Sequence, residues 1–184
     1  MNTFLKWTIL VLLIVAAVLF IYAYSNGDLF KKPLSPKDTV EFKLNDLELE
    51  VFYNRPSKRN RDIFGALVPY NKVWRTGANE ATTFETNKAL KIGNDILPIG
   101  KYTLWTIPNE ESWHVIFNSK QYPWGVNDAM QPMREANFDV IDIDVPVNMI
   151  PNTVEQFTIA FDNSTDNLSL TMAWDNVKIV VPLK

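Results

Sequence analysis

The pattern of apolar and polar positions changes once, near residue 25. Before it, "WTILVLLIVAAVLFIYAY" (Trp7 to Tyr24) holds only Thr8 as a plainly polar side chain, and no charge appears between Lys6 and Asp28. Eighteen such residues make a helix of about 27 Å, close to the thickness of a bilayer core. After it, period-two alternation takes over. Val40, Phe42 and Leu44 share one strand face, and Leu47, Leu49, Val51 and Tyr53 share another beyond the turn pair Asn45-Asp46, so the sequence predicts a hairpin with one wet face.

The alternation returns in 101–107, 113–118, 138–145, 155–161, 168–174 and 177–181, with turn residues at 98–100, 109–111, 163–165 and 175–176. With 81–86 and 89–92, about ten short strands are expected between residues 39 and 184, the pattern of an all-β fold of two packed antiparallel sheets, a β-sandwich or jelly roll. Two stretches break the rhythm, "RDIFGALVPYNKVW" (61–74) and "QYPWGVNDAMQPMREANF" (121–138). Long irregular segments on a rigid sandwich are where binding groups are expected.

The expected organisation is an N-terminal transmembrane signal anchor over 1–24, a linker over 25–38 ("SNGDLFKKPLSPKD", with its Gly, two Pro and mixed charges) and a domain over 39–184. This places the protein in the cytoplasmic membrane as a single-pass protein with its C-terminal domain extracytoplasmic. The alternative is a cleaved signal peptide ending near "AYS" (23–25) and a secreted or periplasmic product. Trp7 at one end and Tyr22 and Tyr24 at the other suit the aromatic belts of a spanning helix. Lys6 before it and Lys31 and Lys32 after it leave the charge rule nearly balanced.

Composition adds exclusions. The chain of 184 residues has a formal net charge of −3 and no cysteine. Past residue 24 it holds 17 basic and 21 acidic residues, so nothing draws the whole domain to nucleic acid. The missing cysteines remove disulfides, lipoprotein acylation, thiol catalysis and thiolate zinc sites. His114 is the only histidine and alternates onto the wet face, too little for a multi-histidine metal set. Asp142 and Asp144 share a strand face without a calcium-loop spacing and read as a solvated edge. No metal and no cofactor is expected.

One stretch gathers a cation, a carboxylate, an amide and an aromatic ring: "VWRTGANEATTFE" (73–85). If a strand begins at Glu80, then Glu80, Thr82 and Phe84 share the inner face and Arg75 is the nearest cation to Glu80. The pair is either a plug at one end of the sandwich, with Asn79 in a left-handed turn, or part of a pocket beside Trp74 that orients a polar ligand. Arg55, just after the strand residue Tyr53, is expected to point back toward this site. "RPSKRNR" (55–61) is either a local anion site, phospholipid headgroups included, or a solvated loop. Among the tryptophans, Trp174 belongs in the core, while Trp105 and Trp124 are the candidate exposed platforms for a glycan. The candidate ligand-binding set is therefore Arg55, Trp74, Arg75, Asn79, Glu80, Trp105 and Trp124.

In combination, "RPS" (55–57), "IFG" (63–65), "VPY" (68–70) and "WRTGANEAT" (74–82), followed by "LPIGKYTLWTIP" (97–108) and "WHVIFN" (113–118), resemble the bacterial family known as domain of unknown function 2911. The resemblance spans the whole soluble part. It implies an exported or membrane-associated protein and brings no established activity. After Trp124 the segment "GVNDAMQPMREAN" departs from the family's usual turn with tyrosine and aspartate, so no ligand contact is carried over there. Three functions are open at this point: a tethered module binding a small polar ligand, a glycan or an envelope partner; a hydrolase or lyase using Glu80 and Arg75; and a purely structural domain.

Overall fold

A computed structural model describes residues 2–25, 33–165 and 167–184. Residues 26–32, half of the expected linker with Lys31 and Lys32, lie outside the described residues. The chain forms two compact units, residues 1–33 and 34–184.

The first unit is helix α1, Thr3–Ser25, none of whose residues is buried. Its apolar side chains face every direction, which in water has no partner and in lipid needs none. By length and composition it can cross a membrane.

The second unit is an all-β sandwich. Its strands are β1 (Lys37–Leu44), β2 (Leu47–Asn54), β3 (Thr83–Thr86), β4 (Leu90–Ile92), β5 (Asp95–Leu97), β6 (Gly100–Pro108), β7 (Ser112–Asn118), β8 (Asp139–Pro146), β9 (Asn148–Asp162) and β10 (Ser169–Pro182). Six make one antiparallel sheet in the order β1-β2-β3-β6-β7-β8; β9 and β10 form a long ribbon, and β4 and β5 a short hairpin. The expected hairpin closes on Asn45-Asp46, with Leu44 opposite Leu47 and Asn45 at φ 54°.

Alternation decides what is inside. Leu49, Val51 and Tyr53 of β2, Phe84 of β3, Leu104 of β6 and Val115 and Phe117 of β7 are buried in one cluster with Phe157 and Ile159 of β9 and Leu170, Met172 and Trp174 of β10. Trp174 is core, as its register requires. Tyr53 and Phe157 meet edge to face with ring centroids 5.8 Å apart, and Phe84 and Phe117 do so at 5.2 Å.

Three departures have physical causes. The two strands expected over 168–174 and 177–181 form one, Ser169–Pro182, because Asp175, at φ 54°, makes a bulge in the pairing with β9 instead of a turn. The three-residue strand β5 follows Gly93 and Asn94 too closely to stand out by alternation. Strand β3 begins at Thr83, so Glu80 lies in the loop before it and does not head a row of inward side chains.

Candidate functional site

The two irregular stretches lie beside one another. The β2–β3 connection and the β7–β8 connection border a cleft of about 820 Å³, lined by Arg59, Arg61, Lys72, Trp74, Arg75 and Arg134 with apolar residues between them. This is the size of a cleft for a small molecule.

Local backbone chemistry explains "VWRTGANEATTFE". Trp74 docks on β6 as a single antiparallel bridge: its N–H donates to the Thr106 carbonyl at 2.7 Å and its own carbonyl accepts from Thr106 N–H at 3.0 Å. The chain then turns sharply. Thr76 at φ 55° and Asn79 at φ 54° are left-handed, and Gly77 has φ 152°. A Cβ on Gly77 would come within 3.0 Å of the Asn54 carbonyl oxygen and 3.1 Å of Thr82 Oγ1, so only glycine fits. A β-branched residue at positive φ is strained. Thr76 is held there because its carbonyl accepts from Thr82 Oγ1 at 2.7 Å and its hydroxyl lies 3.2 Å from Thr106 Oγ1, all without exposure.

The same turn sends Arg75 and Glu80 to different partners, which corrects the expected plug. Glu80 Oε1 lies 2.5 Å from Lys37 Nζ, and Glu80 Oε2 accepts from Asn54 Nδ2 at 2.9 Å. Asn79 Nδ2 donates to the buried Asn54 Oδ1 at 3.3 Å. The Lys37 contact holds the Glu80 carboxyl below its usual range, with the bond from Asn54 adding to it. Glu80 and Asn79 therefore fasten the loop to the start of β1 and the end of β2, and neither lines the cleft.

Arg75 does line it. Its Nη1 donates to the Trp124 carbonyl at 3.2 Å, and it makes no other hydrogen bond and no ion pair among the described residues. Burial draws its pKa below the usual guanidinium value. A half-buried guanidinium with most of its five donors unused and no counter-ion is costly unless something else supplies negative charge. Arg59 and Arg61 donate their side-chain N–H groups to the backbone carbonyls of Leu34, Ser57 and Lys58, and Lys72 has no ion pair among the described residues. Among the described residues only Arg134 is matched, by Asp139, and no carboxylate lines the cleft; Asp62 and Asp128, in the bordering loops, are not among its lining residues.

The remaining expected site residues fall elsewhere. Arg55 joins the two layers: Nη1 lies 3.2 Å from Asp38 Oδ2, Nε donates to the Phe157 carbonyl at 3.3 Å and Nη2 to Thr158 Oγ1 at 3.0 Å. It does not point into the cleft. Trp105 is no exposed platform but fully buried, under a small second cluster with Ala81, Ile116 and Tyr122 on the other face of the large sheet; its Nε1 has no partner among the described residues. Trp124 is exposed, as expected, and meets the site through its carbonyl alone. His114 is exposed too, with Nδ1 2.9 Å from Asp142 Oδ1. No group of three or more metal-ligating side chains occurs among the described residues.

Sequence reasoning missed Lys72 and Arg134 as partners of Arg75, and left the arginines of "RPSKRNR" between two readings. These cations span Arg59 to Arg134, and only the apposition of the two loops brings them together.

The protein is thus an all-β sandwich with a cation-lined cleft, preceded by an apolar helix long enough to cross a membrane. It belongs to the family described as Protein of unknown function (DUF2911), whose model matches residues 35–183, in agreement with the resemblance seen in the sequence. No curated protein and no solved structure matches the chain.

Proposed function

We propose that this protein is a membrane-tethered binding protein, with its β domain outside the cytoplasm on a single N-terminal anchor, and that the cleft holds a small ligand joining an anionic head to an apolar body. The observation that carries the ligand class is Arg75, a half-buried guanidinium that has no counter-ion among the described residues, in a cleft where three further cations have no carboxylate among them either. An anionic group completes what the protein leaves open, through charge-assisted hydrogen bonds. Trp74, Trp174, Val68 and Met130 in the same lining supply apolar contact. Within the set of polar ligands, glycans and envelope partners, this favours ligands bearing phosphate or carboxylate over neutral sugars. The short basic start before α1 and the large domain after it favour export of the C-terminal part.

A hydrolase or lyase reading needs Glu80 and Arg75 to act together, and their separate partners speak against it. The test is a binding titration of the full chain with phenyl phosphate, benzoate and phenol. Saturable binding of the two anions, weakened at least tenfold by Arg75→Ala, is expected; phenol binding as tightly as phenyl phosphate would sink the anion reading. Protease accessibility in intact cells tests the orientation, and release of a soluble form beginning near Ser25 would replace the anchor by a cleaved signal.

A further inference from the structure

The lip of the cleft has a feature that a water-soluble ligand does not require. Leu34, Leu67 and Met130 line the cleft and yet are 69%, 44% and 65% exposed, and Trp124 and Met133 are exposed on the same segment as Met130. Single exposed apolar side chains are ordinary on any surface. Here several large ones share a rim with cations that lack carboxylate partners among the described residues, the composition of a surface that meets a lipid interface: apolar tips enter the acyl boundary while arginine and lysine reach phosphate.

A further observation points to a bilayer as the occupant. The chain past residue 24 carries 21 acidic against 17 basic residues, so an anionic surface repels the domain in most orientations and attracts it at this face.

We infer that the cleft face docks on an anionic bilayer surface, with an anionic phospholipid headgroup seated among Arg59, Arg61, Lys72 and Arg75. This rests on the anion reading of the cleft and names the source of the anion. The phosphodiester accepts from the guanidinium groups, and Leu34, Leu67 and Met130 dip beside it.

Hydrogen exchange of the full chain in nanodiscs tests the inference, comparing discs of phosphatidylcholine alone with discs that also contain phosphatidylglycerol. The phosphatidylglycerol discs should slow exchange several-fold over residues 57–78 and 124–133. High salt should reverse the effect, and the Arg61→Glu, Lys72→Glu double variant should abolish it while the β-strands keep their protection. Both substituted side chains are exposed, so the fold should tolerate the change. Equal exchange in the two kinds of disc overturns the docking. If phenyl phosphate then protects the same residues in phosphatidylcholine discs, the cleft takes its anion from water and only the lipid inference falls. If neither protects, the anion reading falls with it.

Discussion

Gly125 lies against Arg75 so closely that a Cβ built on the glycine would stand 3.1 Å from Arg75 Cβ and 3.3 Å from its Cδ. The contact, with the hydrogen bond from Arg75 Nη1 to the neighbouring Trp124 carbonyl, holds the guanidinium at the cleft. Gly125 also has φ 80°, where a side chain is strained. Gly125→Val should therefore cost roughly 2–4 kcal/mol, from backbone strain and overpacking together, and should displace Arg75. Urea unfolding measures the first effect and phenyl phosphate titration the second; a variant with wild-type values of both would show that the segment gives way without disturbing the site.

Arg75 and Glu80 share no partner. Their substitutions should then add. In a cycle of Arg75→Met, Glu80→Gln and the double variant, the coupling energy should stay within about 0.5 kcal/mol. A coupling well above about 1 kcal/mol, with the double variant recovering stability, would restore the ion-pair plug in place of the observed arrangement.

The Glu80 carboxyl sits below its ordinary pKa of 4.5, first because of Lys37. A depressed carboxylate contributes stability above its unfolded pKa and loses it as pH falls through the folded value. The contribution should thus be complete near neutrality and fade below about pH 4.5. The Lys37 side chain is 64% exposed, so solvent screening limits the effect to about 1 kcal/mol or less. Urea midpoints at neutral and acid pH should show a smaller acid loss in Glu80→Gln than in the wild type. An identical loss in both would remove Glu80 from the acid response.

Residues 34–184 contain the entire buried cluster, and α1 contributes no buried residue. Expressed without residues 1–33, this part should unfold cooperatively and give a far-ultraviolet circular dichroism spectrum dominated by β structure. The full chain should resist alkaline carbonate extraction. A helical spectrum from the truncated protein would contradict the sandwich.

The strands that alternate cleanly were legible from sequence, since one wet and one dry face leave their mark on every second residue: Leu49, Val51 and Tyr53 are all buried, as is Phe84. Trp105 shows where that logic ends. It points away from the main core as its register demands, but Ala81 from the β2–β3 connection and Tyr122 from the β7–β8 connection cover it, and alternation within a strand carries no record of what lies over its outer face. Asp175 illustrates a second limit, because a left-handed aspartate serves a turn and a bulge equally. Of the residues singled out for the site, Trp74 and Arg75 line the cleft, while Glu80 and Asn79 proved to be fasteners of the loop. Lys72 and Arg134 lie 62 residues apart in sequence, and no local pattern links them.

The bonds from Arg55 to Phe157 and Thr158, and from the Ile159 N–H to the Tyr53 hydroxyl, join residues 102, 103 and 106 positions apart. Such contacts form late, because the loop they close must be ordered first. A chain made from its N-terminus therefore passes through a stage in which the residues of β1 and β2 have been made and those of the covering ribbon have not. During that interval Leu49, Val51 and Tyr53 lack their cover, the kind of transient exposure that recruits a chaperone or seeds aggregation. The slowest and most vulnerable step in making this protein should be the arrival of β9, and substitutions at Arg55 should lower the yield of folded protein more than they lower the stability of what has folded.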